Sequence, residues 1–194
     1  MLWDGDWPAS MLAMEGSDHV IHVASFLKYL APALRLGYAV APCAVLAQMI
    51  ACKGGGTGAL EQMVVANFLK NNYEQHVDNL KVRFKTKSNA LVEALEENFG
   101  TSAEFGVKSG GIYLWIKFPP EVDTLKLVDK ALGACDACNP GPHWSVDGEA
   151  ARNHLRICFA NPNIEEIREG MAKLADVFHA ETGIPLRSAN VSRS

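Results

Sequence analysis

The sequence predicts a mixed α/β chain: a strand-bearing N-terminal piece, a long linking helix and a small two-layer α/β C-terminal domain. Three observations predict it. Two short apolar runs, 19–24 and 36–41, flank a polar connection, as paired strands do. From residue 59 to about 98, Met63, Ala66, Leu69, Tyr73, Val77, Leu80, Phe84, Leu91 and Leu95 recur at three- and four-residue spacing, which is helical. Beyond Gly100 the pattern turns to strands interleaved with helices, the texture of a two-layer domain.

The elements follow in order. A strand over 19–24 leads into the connection 25–35, and a second strand over 36–41 leaves it. A helix over 43–52 stops at Lys53-Gly54-Gly55-Gly56, where glycines end a helix or mark a hinge. No strand precedes these glycines and no Gly-Lys-Ser/Thr follows, so they are not a phosphate loop. Asn71-Asn72 predicts a break that divides the helical stretch into a short and a long helix, and a helix of that length links domains. Gly110 and Gly111 open a strand that Pro119 stops, and 124–132 reads as a short helix. Asn139-Pro140-Gly141-Pro142 is dense in turn formers and reads as a loop. Residues 153–160 form a strand, and 164–179 a final amphipathic helix with Glu165, Glu166 and Glu169 near its favourable N-terminus. The expected divisions are 1–58, 59–99 and 100–194.

Composition bounds the function. With 194 residues, 48% hydrophobic and 21% charged, the chain is of ordinary globular character. A net charge of −4 speaks against a nucleic-acid partner. No apolar run reaches the roughly 20 residues of a membrane helix, and the first residues lack the basic flank of a signal peptide. Five cysteines in mostly apolar company read as reduced, buried thiols of a cytoplasmic protein. Cys135-x-x-Cys138 has no second ligand pair, so no metal site is expected.

The residues that can carry chemistry gather in the first connection. Ser25 supplies a hydroxyl, Lys28 an amine and Arg35 a guanidinium. A Lys between apolar strands can be desolvated, which frees a neutral amine to attack a carbonyl. Ser with Arg is a phosphate-binding set, a neutral donor beside a rigid fork. The same spacing also fits a buried strand pair with a snorkelling Lys and a surface Arg.

The run Ser25-Phe26-Leu27-Lys28-Tyr29-Leu30-Ala31-Pro32-Ala33-Leu34-Arg35-Leu36-Gly37-Tyr38 resembles the lysine motif of the class I/II aminotransferases, the fold-type I pyridoxal-phosphate enzymes. Their 2-aminoadipate-type and regulator-associated branch is most similar. The resemblance implies that Lys28 carries pyridoxal 5'-phosphate as a Schiff base and that Ser25 and Arg35 hold its phosphate. Leu27 stands where a second Ser is common, and Ala33 where Gly is common. Ala33 would crowd any backbone position needing positive φ. The second half is similar to the family's small domain through Gly110-Gly111-x-x-x-Trp115, Pro140-Gly141, and Leu155-Arg156-x-x-Phe159-Ala160 before a Glu-rich helix. It implies that Arg156 holds the substrate's α-carboxylate, a task suited to a fixed bidentate Arg. His154 is expected on the opposite face from Arg156, and Tyr113 and Trp115 in the core.

The resemblance accounts for about the second half of a family member, with residues 1–58 as the end of the cofactor-binding large domain. The elements that precede the lysine strand in the family are missing, including the Asp that keeps the pyridine nitrogen protonated. Asp4 and Asp6 lie too close to Lys28 to supply it. The chain is therefore expected to be a fragment of an aminotransferase that moves an amino group between an amino acid and a 2-oxo acid, a homodimer when complete. Two other readings are an effector-binding module of a transcription regulator, without catalysis, and an inactive truncated remnant. The remnant would expose apolar faces and strand edges.

Overall fold

The computed structural model describes residues 1–14, 16–28, 30–106, 108–131 and 138–186. Two compact units divide the chain: Asp6–Leu80, and Met1–Gly5 with the chain from Lys81 onward. Among the described residues no helix is long and apolar enough to cross a membrane.

In the unit Asp6–Leu80, β1 (His22–Ser25) pairs antiparallel with β2 (Gly37–Val40), Ser25 opposite Gly37. Gly37 is required there, because a Cβ would meet the Ala24 carbonyl oxygen at 2.7 Å. Helix α1 (Cys43–Cys52) ends at Lys53, whose ammonium bonds the Gly55 carbonyl at 2.6 Å and the Thr57 hydroxyl at 2.9 Å. The helix thus stops just before Gly54-Gly55-Gly56, where the sequence predicts a stop, but its cap is Lys53 and none of the three glycines adopts positive φ.

Helix α2 (Ala59–Phe99) runs unbroken for 41 residues, about 60 Å at 1.5 Å per residue. The expected break at Asn71-Asn72 is absent. Their side-chain amides donate to the carbonyls of Asn67 at 3.1 Å and Phe68 at 3.3 Å, one turn back. Both asparagines therefore satisfy their amides against the helix they were expected to interrupt.

The second unit holds a four-stranded antiparallel sheet in the order β3 (Glu104–Phe105), β4 (Tyr113–Lys117), β6 (His154–Cys158), β5 (Cys138–Pro140). Alternation decides its faces. Leu114, Ile116, Leu155 and Ile157 are buried, with Leu91, Leu95 and Phe99 of α2 and Met171, Leu174 and Phe178 of α4 (Ile164–Thr182). Phe118, between the strands and α3 (Thr124–Lys130), sits 5.4 Å from Phe99 and 4.8 Å from Phe178, ring centre to ring centre. The three rings pack against one another in the core. Helix α4 begins with a capping box: Asn163 accepts from the Glu166 amide at 2.9 Å and Glu166 accepts from the Asn163 amide at 2.7 Å. It runs three residues past its expected end and stops at Gly183, whose φ of 74° only glycine adopts readily.

Two corrections concern local chemistry. The expected loop at 139–142 is half strand: β5 includes Asn139 and Pro140, and a tight 3-10 turn, Gly141–Trp144, follows. As for the cysteines, Cys43 and Cys52 are exposed rather than buried, and Cys138 is disulfide-bonded rather than reduced. Cys135 and Leu132, the expected end of α3, lie outside the described residues.

Candidate active site

In the unit Asp6–Leu80, the strand pairing itself closes the lysine connection. Ser25 ends β1, and the next amide, of Phe26, donates to the Leu36 carbonyl at 3.0 Å. Ser25 and Arg35 therefore flank the last rung of one ladder although ten residues separate them. The Ser25 hydroxyl oxygen accepts from the Leu27 amide at 3.1 Å, which fixes the oxygen and leaves its proton to donate elsewhere. Lys28 ends a 3-10 turn, Phe26–Lys28. A second turn, Pro32–Leu34, starts with Pro at its favoured first position and is capped by Arg35.

Arg35 adopts φ 47° and ψ 31°, the left-handed region. Among the described residues it is the non-glycine residue that does so. Such backbone costs a side-chain-bearing residue about 1 kcal/mol or more and collects at functional sites. Ala33, expected to conflict with a positive φ, sits inside the turn without one. Lys28 and Arg35 are exposed, and the flanking strands do not enclose them as their apolar character suggests. Tyr29 of the motif lies outside the described residues.

In the second unit, Arg156 stands on β6 between Trp115 of β4 and Asn139 of β5. Its face of the sheet is the one away from the buried leucines and isoleucines. The guanidinium carbon lies 4.1 Å from the centre of the Tyr113 ring and 3.1 Å from that of Trp144. Both rings therefore crowd the guanidinium at contact distance. The Nε atom is buried and has no hydrogen-bond partner, and among the described residues no carboxylate pairs with the guanidinium. A cation crowded by two rings, with no carboxylate partner among the described residues, is arranged to receive an anion.

Glycine makes the turn behind this group. A Cβ on Gly141 would collide with the Ala151 carbonyl and come within 2.8 Å of the His154 Cβ. Only without a side chain can Pro140-Gly141 pack here and deliver Trp144 to Arg156.

His154 corrects the sequence reading. It is two residues from Arg156 in a strand and shares its face, where its ring stacks on Trp115 at 5.4 Å. Its Nδ1 is buried without a partner, and burial pushes its pKa below the ordinary histidine value, helped by Lys117 and opposed by Glu104. Tyr113 and Trp115, expected in the core, are half-buried on this same face. The sequence reading does not single out Trp144. The available signal is an aromatic directly after the Pro-Gly-Pro turn.

Comparison with known proteins decides the family. The model of the family described as aminotransferase class I and II matches residues 4–174. The chain belongs to the class I and II aminotransferases. This aminotransferase chain is 29% identical over 162 residues to the 2-aminoadipate transaminase of Thermus thermophilus, covering 82% of itself and 41% of the relative. It is 31% identical over 160 residues to the HTH-type transcriptional regulator NorG of Staphylococcus aureus, covering 80% and 35%. Among solved structures it is similar to LysN, the α-aminoadipate aminotransferase of Thermus thermophilus complexed with N-(5'-phosphopyridoxyl)-L-leucine. That match has a TM-score of 0.84 at 26% identity and covers 92% of this chain and 47% of that one. The chain thus spans less than half the length of these relatives. An α/β aminotransferase fold in the 2-aminoadipate and regulator branch is what the lysine motif implied.

Proposed function

We propose that this chain belongs to a pyridoxal-phosphate-dependent aminotransferase, one that moves the amino group of an amino acid to a 2-oxo acid. In this reading residues 1–58 are the end of the cofactor-binding domain, 59–99 the link and 100–194 the small domain. The complete protein is a homodimer of the cytoplasm. The observation that carries the reading is Arg156, whose guanidinium has no carboxylate partner among the described residues and suits the α-carboxylate of an amino acid.

The residues present fit the cofactor. The Ser25 hydroxyl has its oxygen fixed and its proton free, and Arg35 flanks the same strand rung, so the pair offers a neutral donor and a cationic fork to a phosphate. Pyridoxal phosphate, when bound, supplies the electron sink that makes the amino acid's Cα–H acidic. Lys28 Nζ would be the amine that holds the cofactor, and the same amine would serve as the general base that takes and returns the substrate's Cα proton. Arg156 orients the substrate by its carboxylate and takes no part in the proton transfer.

Incubation with pyridoxal phosphate, borohydride reduction and peptide mass spectrometry test this. The expected result is a stable adduct concentrated on Lys28 and lost in Lys28→Ala. Labelling spread evenly over surface lysines would sink the assignment. The similarity to NorG favours a second reading, an effector-binding module that uses the same residues without turnover. Cofactor capture without any transfer from amino donors by the complete protein would select it.

A further inference from the structure

We propose that Trp144 is a specificity-determining and positioning residue for the anion site at Arg156, restricting it to planar carboxylates and excluding tetrahedral oxyanions. The inference rests on the reading of Arg156 as the carboxylate clamp and adds what shapes it. Tyr113 approaches the guanidinium from β4 and Trp144 from the turn Gly141–Trp144, their ring centres 4.1 and 3.1 Å from its carbon. With two rings against the guanidinium and Nε buried, the approach left to an anion is through the two terminal nitrogens. A carboxylate places both oxygens in that plane and forms two parallel hydrogen bonds. A sulfonate or phosphonate carries a third oxygen that must stand out of the plane, where it meets a ring.

The two walls differ in kind. Tyr113 is half-buried in a strand, whereas Trp144 is 54% exposed on a turn. Trp144 is therefore the wall that can be altered without disturbing the sheet. The turn is seated on this strand: the Gly141 backbone packs directly on Ala151 and His154, leaving no room for a Cβ.

The test follows the side-chain Nε–H resonance of Arg156 in the full 194-residue chain, assigned by its loss in Arg156→Lys. The chain is titrated with propionate and with ethanesulfonate, which match in charge and chain length and differ in head-group shape. Wild type should bind propionate at least about 5-fold more tightly than ethanesulfonate. Trp144→Ala should weaken propionate about 5-fold, because the guanidinium loses the ring that pre-positions it, and bring the two anions within about 2-fold. Trp144→Phe, which keeps a ring, should restore both affinity and selectivity. Unchanged selectivity in Trp144→Ala overturns the inference while leaving the clamp reading intact. If propionate fails to move the wild-type resonance, the clamp reading falls first and the inference with it.

Discussion

Replacing Arg156 by Met separates a binding arginine from a structural one. The guanidinium touches two rings, and each cation–π contact at a partly exposed site is worth about 0.5–1 kcal/mol, so their loss costs about 1–2 kcal/mol. Against this, the substitution removes a buried Nε that has no partner, a burden of about 1–3 kcal/mol. Methionine keeps the length of the stem and packs against aromatic rings through its sulfur. The two terms offset each other, and stability should change by no more than about 1 kcal/mol. Urea unfolding followed by tryptophan fluorescence reads this well, since Trp3, Trp115 and Trp144 belong to the unit that carries Arg156. With a slope of about 1–3 kcal/mol per molar urea, the midpoint should move by no more than about 0.5–1 M. Propionate should at the same time lose its effect on the midpoint. A loss of 3 kcal/mol or more, the scale of about 3–5 kcal/mol seen when a buried ion pair is broken, would refute the reasoning and make Arg156 structural.

Arg35→Ala should weaken cofactor binding about 10- to 100-fold in an absorbance titration, the equivalent of one charge-assisted contact of about 1.5–3 kcal/mol, while Arg156→Ala leaves it intact. The reverse ranking would exchange the two roles. Phe178→Ala should cost about 3–5 kcal/mol in the same urea assay, because the ring is fully buried against Phe99 and Phe118. A cost below 1 kcal/mol would show that the aromatic cluster is not the centre of the core. His154 has its folded pKa below the unfolded value, so the unfolded chain takes up that proton first as pH falls. Its contribution is complete above about pH 6.5 and is lost as the pH falls toward the folded pKa, so His154→Gln should flatten the stability profile across that range. The isolated chain should self-associate in light scattering, because Val23 is 70% and Ile50 69% exposed beside the open edges of the β1–β2 pair. A monodisperse monomer would contradict this.

What the sequence disclosed, it disclosed where local pattern and tertiary role coincide. The helical spacing of Leu91 and Leu95, and the Gly-to-Pro limits around β4, name elements whose burial follows the same period. Where side chains solve a local problem in an unexpected way, pattern misleads. Asn71 and Asn72 look like breakers until their amides are seen to bond one turn back. Pro140 looks like loop, yet β5 is an edge strand, where a missing N–H costs no ladder bond. The face of His154 was legible from strand parity alone, since residues two apart point the same way. Trp144 was not, because its meeting with Arg156 depends on the turn at Gly141 and no periodicity encodes that.

The pleat of β4 and β6 has an evolutionary consequence. Along each strand, residues that hold the helices alternate singly with residues that face the anion site: Leu155 and Ile157 on one side, His154 and Arg156 on the other. On these strands each codon that faces the anion site is thus adjacent to one that maintains the core, while Trp144, exposed on its turn, can change with little penalty to folding. A lineage could drift from turnover to mere ligand sensing, or back, across the open face of one unaltered sheet.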